Sequence, residues 1–284
     1  MTGFAPDRLL GSNFGFQHVP FGLFLDTMAA SGIARIELWG IAPHLDIERA
    51  GPARIARLAR ELEAAGLSLH CLTPEQVAYP VNPASPDPDL RAASRAHFRK
   101  AARIAADLGA RNLFATCGRG DETAPPEEAA ARAAAELRDL AGHADGLGLR
   151  LLLEPLQRRE SNIVNTAAEL GAMLAAIGHP GIDAVLDLVA MEAAGDTVAD
   201  YTAHFGPRLA HVHIADGTPA GHLAWGDGTL PLGRHLGALA AAGYAGSFAF
   251  EPFGDGRYAS DPVAAWAQNL AGFAPWTDTA KEPA

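Results

Sequence analysis

Apolar runs of strand length alternate with Ala-, Leu- and Arg-rich runs of helical period along almost the whole chain, and that alternation leaves few folds open. Strands are expected over 9–14, 34–38, 67–72, 111–116, 149–154, 182–187, 210–215 and 247–252. Helices are expected over 20–31, 49–65, 89–108, 127–147, 166–177, 196–205, 231–242 and 260–272. The stretch "ARIARLARELEAAGLSL" shows the unit: Ile55, Leu58 and Leu62 at helical spacing, Gly66 as a stop, then the next apolar run. Eight such repeats in 284 residues, with no compositional break, read as one α/β domain whose parallel sheet is covered by helices. Closing the eight gives a single (β/α)8 barrel over residues 1–275, with a flexible tail over 276–284. An open doubly wound sheet is the alternative. It fits less well, because no G-x-G-x-x-G follows the first strand and eight repeats exceed its usual need.

Charge and composition narrow the partners. A formal net charge of −11 disfavours nucleic acid, whose phosphates require a basic face, and fits a soluble cytoplasmic enzyme acting on neutral or cationic small molecules. Cys71 and Cys117 stand apart in apolar segments and read as buried thiols of a reducing compartment, not as a disulfide. The N-terminus lacks the pattern of a signal peptide, and no apolar run reaches membrane-spanning length. No Gly-rich phosphate loop or Arg cluster is visible in the sequence, which argues against a sugar phosphate as substrate.

Two stretches, "LRLLLEPL" at 149–156 and "FAFEPF" at 248–253, end an apolar strand in a glutamate followed at once by proline. In a barrel the C-terminal strand ends converge on one face. Glu154, Asp187, His213 and Glu251 then meet from the last four strands. Three unpaired carboxylates so close would repel one another and hold their protons. A divalent cation removes the conflict, and this oxygen-rich donor set suits manganese, with cobalt, magnesium, iron or zinc behind it. On the seventh strand His213, nearer the C-terminal end, is expected to face the pocket. His211 is expected to point to the opposite face and to pack or hydrogen-bond there.

The segments "IELWGIAPH" (36–44), "LTPEQVAYPVN" (72–82), "LLLEPLQRRESNIV" (151–164), "HVHIADG" (211–217) and "WGDGTLPL" (225–232) resemble the xylose-isomerase-like superfamily of sugar isomerases and epimerases, metal-dependent TIM barrels. Within it they are most similar to the fructoselysine (psicoselysine) 3-epimerases and the ketose 3-epimerases. The resemblance implies that Glu154, Asp187, His213 and Glu251 bind one divalent ion, and that Glu154 and Glu251 form the acid/base pair. It implies inversion at C3 of a ketose or a ketose-amine such as fructoselysine, through a metal-stabilised cis-enediolate. Glu160 would touch substrate hydroxyls.

Two departures stand out. The histidine that free-sugar 3-epimerases carry three residues after the metal-binding aspartate is replaced by Ala190, as the fructoselysine branch also implies. The family's substrate-binding arginine after the seventh strand is absent, and His222 is the candidate to replace it. Glu37, His44 and Trp39 are further substrate-binding candidates, with Phe16 and Tyr79 beside Trp39 as an apolar wall. An aldose–ketose isomerase or an inosose-type dehydratase of the same fold are the rival activities, and a sugar-binding protein without turnover is the rival class. The expected partner is a small sugar or sugar-amine, and the chain itself could pair as a homodimer or higher oligomer.

Overall fold

A computed structural model of the chain describes residues 3–218 and 221–277. Eight strands form its centre: β1 (Leu9–Ser12), β2 (Arg35–Gly40), β3 (Ser68–Pro74), β4 (Asn112–Thr116), β5 (Arg150–Glu154), β6 (Ile182–Asp187), β7 (Leu209–Ile214) and β8 (Ser247–Phe250). They pair in sequence order, all parallel, and β8 closes on β1, so the sheet is a barrel without edges. The open-sheet alternative is thereby set aside. A parallel barrel hides both faces of its strands, which is why they read as continuous apolar runs rather than as alternation.

The helices are α1 (Phe21–Ala30), α2 (Pro52–Ala64), α3 (Pro88–Asp107), α4 (Pro126–Asp145), α5 (Ala167–Ile177), α6 (Leu188–Ala194), α7 (Val198–Phe205), α8 (Leu232–Ala241) and α9 (Pro262–Phe273). Their starts follow from capping chemistry. Proline opens α2, α3, α4 and α9, where a missing N–H costs nothing. Thr166 with Glu169, and Thr197 with Asp200, form reciprocal capping boxes at α5 and α7. One helix was not expected from the sequence: α6 is only seven residues long, too short for a periodic signal, and starts directly at the end of β6. Of the tail expected over 276–284, Trp276 packs against the core and Thr277 bridges Phe4, while residues 278–284 lie outside the described residues.

The principal core lies between barrel and helices, with Phe24, Met28, Leu58, Phe248 and Phe273 among its fully buried members. Inside the barrel a second, small cluster of Cys71, Phe114, Leu152 and Val185 fills the axis. Both cysteines are free and buried. No helix among the described residues is long and apolar enough to cross a membrane.

Candidate metal centre and substrate cavity

Barrel closure brings the last four strand ends together, and the backbone register fixes the heights of their side chains. Glu154 ends β5 opposite Thr116, Asp187 ends β6 in register with His213, and the Glu251 amide donates to the Ile214 carbonyl at 3.0 Å. His213 Nδ1 lies 2.7 Å from Glu154 Oε1 and 3.3 Å from Glu251 Oε2. His222 Nε2 lies 2.9 Å from Asp187 Oδ2 and 3.4 Å from the same Glu251 oxygen. All five side chains are buried.

The loop that delivers His222 is organised by a single carboxylate. Asp216, buried after β7, accepts from the backbone N–H groups of Gly217, Gly226 and Leu230 at 2.8–2.9 Å. A short antiparallel bridge joins Asp216 to Leu223, and this sets His222 over Asp187. A side chain at Gly228 would collide with the Asp216 carboxylate and the Gly217 backbone, so "WGDGTLPL" requires glycine there. Asp187 is used twice: Oδ1 accepts from the Val189 N–H at 2.7 Å and caps α6, while Oδ2 faces His222.

Beneath this layer is a second one that the sequence reading misassigned. His211 does not point away from the pocket side; residues two apart on a strand share a face, so both rings enter the barrel, 4.9 Å apart. His211 Nε2 lies 2.9 Å from Glu37 Oε2, and its Nδ1 lies 2.8 Å from Ser247 Oγ. Glu37 sits between the histidines, with His213 Nε2 at 3.2 Å from each of its oxygens, and accepts from Thr73 Oγ1 at 2.5 Å. Glu37 is fully buried and lies beneath the cavity rather than among the residues that line it. Its effect is to fix the His213 ring: with Nε2 donating to Glu37, Nδ1 is the nitrogen presented to Glu154 and Glu251.

The electrostatics are those of charges taken out of water. Burial pushes the Glu154 carboxyl up to about 8; the neighbouring Glu251 and Asp187 charges add to this and His213 opposes it. Burial would raise Asp187 and Glu37 as well, but His222 holds Asp187 below the usual range, and His213 with His211 holds Glu37 well below it. Burial disfavours charge on the imidazoles too. Asp187 and Glu251 nevertheless lift His222 to about 9, and Glu251, Glu37 and Glu154 lift His213 well above its ordinary value.

Tested against a cation, this donor set fits. Glu154, His213 and Glu251, and likewise Asp187, His222 and Glu251, offer ligand atoms within 4.8 Å of one another, with Glu251 common to both groups. Glu251 Oε2 is buried and makes no hydrogen bond, although the His213 and His222 nitrogens lie 3.3 and 3.4 Å away, so it has a lone pair open to a cation between them. Carboxylate oxygens with imidazole nitrogen could hold a divalent ion of the manganese, magnesium, cobalt or iron kind.

A cavity of about 310 Å³ opens above these groups. Glu160, His222 and Trp39 line it, as the sequence suggested. His44 does not: it is buried 3.1 Å from Asn13 Nδ2 and 2.8 Å from the Val19 carbonyl, against Phe21. Phe16 packs on Phe24, while Tyr79 packs against the cluster of Phe14, Trp39 and Ile41, its hydroxyl accepting from the Ala42 N–H at 3.1 Å. The apolar wall is formed by Phe14, Trp39, Phe114 and Phe253, with Phe14 5.5 Å from Trp39 and 5.3 Å from Phe253. Trp39 Nε1 donates to Glu75 Oε2 at 2.7 Å, and Gln76 accepts from the Thr116 N–H at 2.8 Å. Glu75 and Gln76 line the cavity and were not singled out in the sequence, although they stand side by side at the end of the third strand. Ala190 lies buried in α6.

With fold and site in hand, comparison with known proteins is informative. The family described as "Xylose isomerase-like TIM barrel" matches residues 25–276. The chain belongs to that family. A fructoselysine 3-epimerase from Escherichia coli O157:H7 is 28% identical over 237 residues, covering 82% of this chain and 85% of the relative. A D-psicose 3-epimerase from Agrobacterium fabrum is 28% identical over 82% of this chain and 79% of its own length. A solved L-ribulose 3-epimerase shares the fold with a TM-score of 0.80 at 24% identity, covering 99% and 96% of the two chains. By these relatives the protein is a carbohydrate isomerase or epimerase.

Proposed function

We propose that this enzyme is a divalent-metal-dependent 3-epimerase of a ketose or a ketose-amine such as fructoselysine. The observation that carries the reading is that two buried glutamates from β5 and β8, Glu154 and Glu251, flank the same histidine nitrogen and line the same cavity. Inversion beside a carbonyl needs one base to take the C–H proton and a second group to return it from the opposite face. A single base would restore the original configuration. Glu154 and Glu251 come from different strands and both line the cavity, so one can take the proton while the other returns it. The roles exchange when the reaction runs backwards. Glu154, Asp187, His213 and Glu251 would hold the ion, manganese in our reading. When bound, it supplies positive charge beside the carbonyl oxygen as the enediolate forms. Glu160, at the rim beside Arg159, would accept from substrate hydroxyls. Glu37 keeps the His213 ring aligned, and the aromatic wall of Phe14, Trp39 and Phe253 excludes water from the reacting carbons.

The charge balance of the cavity supports an amine-bearing substrate over a phosphorylated one. Glu75, Glu154, Glu160, Asp187 and Glu251 line it against the single arginine Arg159. A divalent ion leaves that lining negative, which attracts a protonated amine and repels phosphate.

The test is incubation of the manganese-loaded enzyme with D-fructose, D-psicose and fructoselysine in heavy water, followed by NMR. Deuterium at C3 together with the C3 epimer supports the proposal. An aldose product would make the enzyme an isomerase, and loss of water would make it a dehydratase; either outcome overturns the reading.

A further inference from the structure

The opposite end of the barrel carries a second cavity, of about 440 Å³, and its chemistry is the inverse of the first. Arginines stand at the starts of four strands: Arg8 before β1, Arg35 at β2, Arg111 before β4 and Arg150 at β5. His70 of β3 lies between the two pairs. The only carboxylate lining this pit is Asp183, which accepts from Arg150 and also lies 3.8 Å from Arg208 outside it. With Asp7 at 3.6 Å from Arg35 counted beside Asp183, four guanidinium groups meet two carboxylates, a local excess of two positive charges in a chain whose formal charge is −11.

Two of the four are paired, Arg150 with Asp183 and Arg35 with Asp7 at 3.6 Å, whereas Arg8 and Arg111 are held without a carboxylate at ion-pair distance among the described residues. Arg8 lies over the rings of Phe4, Tyr244 and Phe248, each 5.0–5.3 Å away, and its Nε donates to the Gly246 carbonyl at 2.7 Å. One of its two terminal nitrogens, Nη2, is buried and has no hydrogen-bond partner. Arg35 is steered by the Asp7 carbonyl and by His70 Nδ1, 3.4 Å from its NH1. Arg111 has no carboxylate within ion-pair distance among the described residues, although Arg150 and Arg35 stand in the same pit. Like charges brought together and left with unused donors are costly unless an anion joins them.

We infer that the N-terminal mouth of the barrel is a binding site for a phosphate group, either free phosphate or the phosphate of a small metabolite, held by Arg8, Arg35, Arg111 and Arg150. Guanidinium forks match phosphate oxygens in pairs, and the pit has room for more than the bare ion. Ser247 lines this pit and pairs with His211, so the occupant would rest beneath the hydrogen-bonded column that reaches His213. The inference stands independently of the reaction assigned to the upper cavity.

Isothermal titration of the manganese-loaded, full-length protein with inorganic phosphate, a hexose 6-phosphate and citrate at low salt tests this. One equivalent of phosphate or hexose phosphate is expected to bind, and the tighter of the two identifies the source. Arg111→Ala should weaken that binding about tenfold, the loss expected for a hydrogen bond between charged partners. Arg111→Glu should abolish it, while Arg49→Ala, at an arginine outside the pit, should change nothing. Phosphate that ligates the manganese is recognised because its heat survives both Arg111 variants, whose upper residues are intact. Saturable binding that persists unchanged in Arg111→Glu overturns the inference, as does no binding at millimolar phosphate. Citrate binding more tightly than either phosphate overturns the ligand class. Because Arg111 is exposed, its variants should fold, and circular dichroism checks that they do.

Discussion

The two mouths of this barrel use the same eight strands and solve opposite problems. At the C-terminal mouth, carboxylates and imidazoles are withdrawn from water and can be kept there only by one another or by a cation. At the N-terminal mouth, guanidinium groups gather at a pit open to water, where an anion as well as solvent can reach them. The difference is why we assign the chemistry to the upper end. Buried groups have displaced proton affinities and one fixed geometry, whereas hydrated arginines offer charge and a fork but no proton to transfer.

The largest effect should come from Glu251→Gln, which removes a carboxylate while keeping its shape. Solvent-deuterium exchange into substrate is expected to fall about 10³-fold, within the usual range for a lost acid or base. Near-normal exchange in that variant would break the contrast, because the upper glutamates would then be as dispensable as a surface charge. Glu37→Gln comes next. It leaves the cavity untouched but unsettles the His213 ring, and manganese affinity by titration should drop about 10- to 100-fold, as for other residues that orient a metal-binding histidine. An unchanged affinity would reduce Glu37 to packing.

Acidity separates the two ends further. In the ion-free chain Glu154 holds its proton up to about 8 and His222 up to about 9, both above their ordinary values. The folded chain therefore binds more protons than the unfolded one across that window, and its stability falls as pH rises through it. A cation bound by Glu154 and His213 displaces a proton from each, so manganese affinity should rise about a hundredfold per pH unit between about pH 6 and 8. The rise in melting temperature on adding manganese should be larger at the alkaline end, which calorimetry would show. Arginines stay charged throughout, so sulfate binding at the lower pit should be flat over the same range. The smallest expected effect is that of Arg111→Glu on turnover: within about twofold, since an exposed side chain far from the carboxylates rarely matters more. A large loss would join the two mouths functionally.

The barrel was legible because most strand residues are apolar and the longer helices keep their period, so the eight units could be counted along the chain. Glu154, Asp187, His213 and Glu251 stand at successive strand ends, which is legible in the sequence; that they divide into two groups sharing Glu251, with His222 beside Asp187, is not. Other features depend on three dimensions. The side of the strand taken by His211 turned on a period of two that puts it with His213. Phe14 rather than Phe16 reaches the cavity because a single 3-10 turn intervenes after β1, and turns that short leave no periodic trace. The arginine pit was invisible for a plainer reason: Arg8, Arg35, Arg111 and Arg150 are dispersed over half the chain and meet only when the barrel closes.

Asp187 has one oxygen in the cluster and the other on the first turn of α6, so the two surroundings share a single rigid carboxylate. Whatever tugs on one oxygen is felt at the other, and the Val189 amide becomes a built-in gauge of loading. Its hydrogen exchange should slow when an ion clamps the carboxylate and quicken when the clamp is released. The short helix thereby offers a reporter of occupancy that requires neither a substrate nor a label.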